Sequence, residues 1–103
     1  MRIFSRGTLV EFWRKHPDAE GALRLWFSIV QHASWAGPAD VKAGFGSADF
    51  LQDNRVIFDI RGNTYRLITK IKYGPLFLVY ILFVGTHAEY DRTDASTVGG
   101  APP

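Results

Sequence analysis

At 103 residues, with 47% hydrophobic and 15% aromatic side chains, the chain is sized for one domain around one core and is too apolar to stay disordered. It holds no cysteine, which excludes a disulfide framework and a thiolate metal site and points to a reducing, cytoplasmic setting. No apolar run is long enough to cross a bilayer and no signal-like core follows Arg2 and Arg6, so neither secretion nor membrane insertion is expected. The net charge is only +2, but it is unevenly spread. Residues 55–73 carry Arg55, Arg61, Arg66, Lys70 and Lys72 against Asp59 alone, whereas residues 74–103 carry Arg92 against Glu89, Asp91 and Asp94. A basic middle joined to an acidic end gives a directional field that can draw a polyanion to one face; solvated strands carrying Lys and Arg are the plainer reading.

In chain order, Met1 to Phe4 alternates basic and apolar residues and reads as a short edge strand. Thr8 with Glu11 forms a capping-box pattern that opens a helix, with Leu9, Phe12, Trp13 and His16 on one stripe. Pro17 disfavours helical geometry at His16 and ends it. Asp18 and Glu20 favour a second start, and the new helix runs to about Ala33. Ala22, Trp26, Ile29 and Ala33 then lie in line, and Leu23, Phe27 and Val30 widen the buried face. Residues 36–54, rich in Gly, Ala, Asp and Ser, read as a long irregular connection.

From Arg55 the period changes to two: Val56, Phe58 and Ile60 alternate with Arg55, Ile57 and Asp59. Gly62-Asn63 is a two-residue hairpin signal, Thr64 to Tyr73 is the partner strand, and Gly74-Pro75 makes the next turn. Leu76 to Val84 is apolar on both faces and is expected inside the sheet. The expected architecture is α+β: a short N-terminal strand and two helices packed on an antiparallel meander. It forms a single domain over residues 1–95, with a flexible tail over 96–103.

Two features carry chemistry. On the strand Thr64 to Tyr73, Arg66, Ile68, Lys70 and Lys72 share one face, and three cations there suit a phosphate-rich ligand. The segment Thr86-His87-Ala88-Glu89-Tyr90-Asp91 follows the apolar strand and gathers an imidazole, two carboxylates, a phenol and a hydroxyl at its end. A purely structural turn, with Thr86 or Asp91 capping backbone groups and Tyr90 packed on the sheet, accounts for the same residues. His16, His32 and His87 are too scattered for a metal site, and Gly44-Phe45-Gly46 lacks the glycine and lysine of a phosphate loop. Trp13, Trp26 and Trp35 read as core or partner-contact residues.

The stretch Asn54-Arg55-Val56-Ile57-Phe58-Asp59-Ile60-Arg61-Gly62-Asn63-Thr64-Tyr65-Arg66-Leu67-Ile68 resembles the hairpin of HigB-family toxins of type II toxin–antitoxin systems. Phe83-Val84-Gly85-Thr86-His87-Ala88-Glu89-Tyr90-Asp91 is similar to that family's closing motif, and His16-Pro17-Asp18-Ala19-Glu20 and Ala33-Ser34-Trp35 to its helical half. The resemblance extends to about Ala95 and keeps the order of elements. It implies the RelE-like fold, ribosome-dependent cleavage of mRNA, and a cognate HigA-type antitoxin with a helix-turn-helix, with scope for a higher-order toxin–antitoxin complex. The apolar helices, with Trp13 and Trp35 near their ends, are expected to offer contact area to that antitoxin.

A metal-free RNase of this fold uses the substrate's own 2′-hydroxyl as nucleophile and needs a base, cations at the phosphate and an acid at the departing 5′-oxygen. On that resemblance Arg66 is the phosphate clamp, and His87 is the acid or base. Tyr90 stacks on a base or shares proton transfer, and Asp91 or Glu89 orients His87. Arg55, Arg61, Lys70 and Lys72 contact RNA, and no cofactor or metal is implied. Two departures stand out. On that resemblance Leu82 occupies a position where many relatives carry an arginine, and Gly74-Pro75 replaces a turn that is usually more polar and basic. Leu82 keeps a second reading open, a non-catalytic module that retains the fold and only docks on RNA, the ribosome or a partner. A relative acting on a DNA topoisomerase is a third.

Overall fold

In the computed structural model, which describes residues 1–99, the first helix, α1, spans Arg6–Lys15 and buries Leu9, Phe12 and Trp13. It begins two residues before the expected start, after Ser5 in a left-handed conformation (φ 74°), and the Thr8 amide donates to the Ser5 carbonyl at 2.9 Å. The Thr8–Glu11 capping box therefore does not form, and Glu11 pairs with Arg14 at 3.1 Å instead. Pro17 opens a single 3₁₀ turn, Pro17–Ala19, that leads into α2, Glu20–Gln31. The buried face of α2 is Leu23, Trp26 and Val30. Ile29, expected on that face, points to solvent beside Leu25 because the helix rotates to seat Trp26 against Phe58.

The connection expected to be irregular contains two elements. Gly37 is extended, Pro38 takes the first helical position, and the Asp40 carboxylate accepts from the Ala36 amide at 2.9 Å, so a short helix, α3, forms over Pro38–Gly44. Only Val41 anchors it in the core, which leaves no period to read. Asp49–Phe50 then adds a two-residue strand, β2, to the sheet edge.

The remaining strands are β1 (Arg2–Phe4), β3 (Arg55–Ile60), β4 (Tyr65–Lys72) and β5 (Leu78–Thr86), and α4 (His87–Asp91) closes the order. The sheet runs β1-β5-β4-β3-β2, with β1 parallel to β5 and every other pair antiparallel. The expected meander is thus the centre of a five-stranded mixed sheet. The β3–β4 turn spans residues 61–64, and its left-handed residues are Arg61 and Gly62 (φ 53° and 65°), not Gly62 and Asn63. One face of the sheet packs Val56, Phe58, Ile60, Tyr65, Leu67, Ile71, Val79 and Ile81 against the helices.

The opposite face presents Arg55, Ile57 and Asp59 from β3 beside Lys70, Ile68 and Arg66 from β4. Across β4 and β5 the register shifts between Ile68 and Thr69: Ile68 pairs with Phe83 and Thr69 with Ile81, so Leu82 has no cross-strand partner. Ile57 and Ile68 are buried on this outer face, and the segment after α4 folds back across it. Arg55 Nη1 donates to the carbonyls of Ala95 and Val98 at 2.9 and 2.8 Å, and a Cβ at Gly99 would stand 3.0 Å from the Leu82 side chain. Of the tail expected from Ser96, residues 96–99 belong to this turn and residues 100–103 lie outside the described residues.

Candidate active site and RNA-facing surface

Helix α4 is fixed to the end of β5 by its cap. The Thr86 hydroxyl accepts from the Glu89 amide at 3.2 Å, and the Glu89 carboxylate accepts from the Thr86 amide at 2.8 Å. That backbone bond holds the Glu89 carboxyl below its ordinary value. His87 and Tyr90, three residues apart, share one face of the helical turn and meet the β3–β4 hairpin together. His87 Nε2 lies 3.0 Å from Asn63 Oδ1. The Tyr90 ring centroid lies 5.1 Å from the guanidinium carbon of Arg66.

Arg66 is the hub of this cluster. Its Nη2 donates to the same Asn63 oxygen at 3.2 Å, and its Nε lies 2.9 Å from Asp59 Oδ1, an ion pair by distance that is not aimed as a hydrogen bond. Asp59 stands opposite Arg66 in the register. The side chain of Arg66 keeps 18% of its surface exposed, so part of the donor fork still faces solvent. Along the same strand face, Lys70 pairs with Asp53 at 2.8 Å, which holds that carboxyl below its usual range. Lys72 is half-buried and pairs with no carboxylate among the described residues.

The structure brings Arg66, His87 and Tyr90 together and places the other expected residues elsewhere. Arg55 is 3% exposed, because the C-terminal turn uses its guanidinium. Arg61 turns to the helix side, 3.3 Å from Asp18, whose other oxygen accepts from the Tyr65 hydroxyl at 2.5 Å. Asp91 is exposed and neither it nor Glu89 bonds to His87; Glu89 is committed to the cap. Trp13 and Trp35 are 8% and 6% exposed, so they are core residues and not broad contact surfaces. His16 stacks on Phe12, at 4.5 Å between ring centroids, inside the same helical layer.

Asn63 and Asp59 were the residues that sequence reasoning passed over. The alternation on the two strands, folded about Gly62-Asn63, already puts Asp59 opposite Arg66. Among the described residues no three of His, Cys, Asp and Glu come together in a way that could hold a metal ion. No helix among them is long and apolar enough to cross a membrane.

A family model described as HigB_toxin, RelE-like toxic component of a toxin–antitoxin system, matches residues 19–93, which include the whole cluster. The chain is also similar to a protein of Escherichia coli O6:H1 named mRNA interferase HigB, with 27% identity over 94 residues, covering 89% of this chain and 90% of that one. Everything from α2 to α4, including the basic face of β4, falls within residues 19–93, and the chain belongs to the HigB toxin family, the RelE-like toxic components of toxin–antitoxin systems.

Proposed function

We propose that this toxin is an endoribonuclease that cleaves mRNA on the ribosome without a metal ion, in the cytoplasm, and is neutralised by a HigA-type antitoxin. The observation that carries the reading is the convergence of Arg66, His87 and Tyr90 where β4 begins and β5 ends, with Lys70 and Lys72 farther along the same strand face. The similar E. coli protein is named an mRNA interferase, which favours the same substrate.

In the proposed reaction the RNA's 2′-oxygen attacks the adjacent phosphorus and gives up its proton to solvent water. The P–O5′ bond breaks, leaving a 2′,3′-cyclic phosphate and a 5′-hydroxyl. Arg66 holds the non-bridging oxygens with the donors that Asp59 and Asn63 leave open, since a guanidinium gains charge-assisted bonds as negative charge builds on the phosphorane. His87 donates a proton to the departing 5′-oxygen; an imidazole near neutrality can supply one and be recharged. Tyr90 supports the Arg66 guanidinium with its ring and offers its hydroxyl to the proton path. Lys70 and Lys72 contact flanking phosphates.

Expression of the chain alone, with growth and transcript ends followed together, tests this. The parent is expected to arrest growth and create new ends within reading frames, and Arg66→Ala and His87→Ala to do neither while still folding. Arrest with intact transcripts would favour the second reading, a docking module. Leu82 supports that reading, because it puts an apolar side chain against Gly99 on the outer sheet face.

A further inference from the structure

Asn63 lies in the 61–64 turn and has not been assigned a role above, yet a single atom of it touches two members of the cluster. A guanidinium has donors only, so the amide atom 3.2 Å from Arg66 Nη2 has to be the oxygen. That oxygen, an acceptor only, is also the atom 3.0 Å from His87 Nε2. Nε2 must therefore carry a hydrogen in both protonation states of the ring. The neutral imidazole is then the Nε2–H tautomer, and Nδ1 is the nitrogen that gains and loses the proton.

We infer that Asn63 is a positioning residue: its side-chain oxygen ties His87 to Arg66, fixes the imidazole as the Nε2–H tautomer, and so makes Nδ1 the atom that exchanges a proton with the substrate. The catalytic part of this inference rests on the ribonuclease reading; the tautomer does not. The charged and titratable groups around the contact are Arg66 with Asp59 on the sheet side, and Tyr90 and Glu89 on α4, with Glu89 turned into the helix cap. The bridge joins the phosphate clamp to the proton donor through one rigid turn, and a shared acceptor keeps the two groups at a set spacing. An amide suits this position better than a carboxylate, because a charge there would hold the proton on His87 and compete with phosphate for Arg66.

The imidazole nitrogens of His87 can be read directly by long-range ¹⁵N–¹H NMR of the whole chain across pH, alongside single-turnover cleavage of ribosome-bound mRNA. In the parent, the neutral ring is expected to be hydrogenated at Nε2. Asn63→Asp, nearly the same shape, is expected to move protonation of the His87 ring, and with it the limb of the pH–rate profile that His87 controls, to higher pH. Asn63→Ala is expected to lose the tautomer preference and to lower kcat about tenfold with KM changed far less, since Arg66 keeps Asp59 and Tyr90. A parent ring hydrogenated at Nδ1, or a His87 pKa unmoved in Asn63→Asp, would overturn the inference. If the parent cleaves but the kinetic limb stays put while the NMR pKa moves, the positioning role fails and the ribonuclease reading survives. If the parent never cleaves, the ribonuclease reading fails with the catalytic half of the inference, and the NMR result alone decides the tautomer.

Discussion

Arg55 and Arg66 stand on the same outer sheet face in different surroundings. Arg55 is enclosed by the carbonyls of Ala95 and Val98, which makes it structural. Arg55→Ala removes charge-assisted bonds from a buried site, and we expect it to lower unfolding stability by about 2 kcal/mol in urea titration, with any RNA affinity at native conditions nearly unchanged. A stable variant that no longer binds RNA would reverse that assignment. Arg66 is held by Asp59, Asn63 and the Tyr90 ring and keeps part of its donor fork open. Tyr90→Phe retains the ring, so it is expected to lower kcat and leave KM alone, whereas Tyr90→Ala is expected to raise KM as well. Equal KM values in the two variants would show that the ring does not support the clamp. The basic face of β4 and the cluster after β5 were legible from residue type and alternation. The fates of Arg55 and Arg61 were not, because both depend on where a distant segment comes to rest: residues 95–98 in one case, Asp18 in the other.

Among the elements, α4 is the shortest part of the site, five residues long, and its cap does most of the positioning. Thr86→Ala removes the side-chain acceptor, at a cost of about 1 kcal/mol to that helical turn. The expected reading is faster hydrogen exchange in residues 87–91 with little change in global unfolding; unchanged exchange would mean that the cap is not what orders the helix. Glu89 and Asp94 both have carboxyls held below their ordinary values, Glu89 chiefly by the Thr86 amide and Asp94 chiefly by Ser96. Their folded pKa values lie below the unfolded ones, so their stabilisation is complete above the unfolded values of about 4.5 and 3.8 and is lost as pH falls through the folded values. Acidification is thus expected to loosen the C-terminal segment before the sheet, seen as early loss of amide protection over residues 86–98. The main helices and the three-strand meander were readable because their periods are long. α3 and β2 were not, since seven and two residues cannot display a period, and their formation rests on Val41 in the core and pairing with β3. The capping box was expected at Thr8–Glu11 and occurs at Thr86–Glu89, because the pattern acts only where the chain enters a helix from an extended residue, as Thr86 is.

At the scale of the molecule, the helices and the sheet's inner face make one core, and the outer face is divided. One part, at the Arg55–Lys70 end, lies under the C-terminal turn; the other, with Arg66, lies beside α4. The Arg66 and Lys70 side chains keep only 18% and 14% of their surface exposed, so affinity is expected to rest on the ribosome and to fall as salt rises. Replacing Lys70 and Lys72 together by Gln is expected to flatten that salt dependence by close to two phosphate contacts; an unchanged slope would move the RNA path off this face. The central claim is that Arg66, His87 and Tyr90 direct the RNA's own 2′-hydroxyl at its phosphate. The most direct measurement is cleavage of ribosome-bound mRNA carrying a single 2′-deoxynucleotide at the mapped site, with the chemistry of the product ends determined. The account predicts 2′,3′-cyclic phosphate and 5′-hydroxyl ends from the all-ribose message, loss of cutting at the deoxy position, and a fall of about 10²–10⁴-fold in rate for His87→Ala. Cutting that persists at the deoxy position, or products with 5′-phosphate ends, would contradict it.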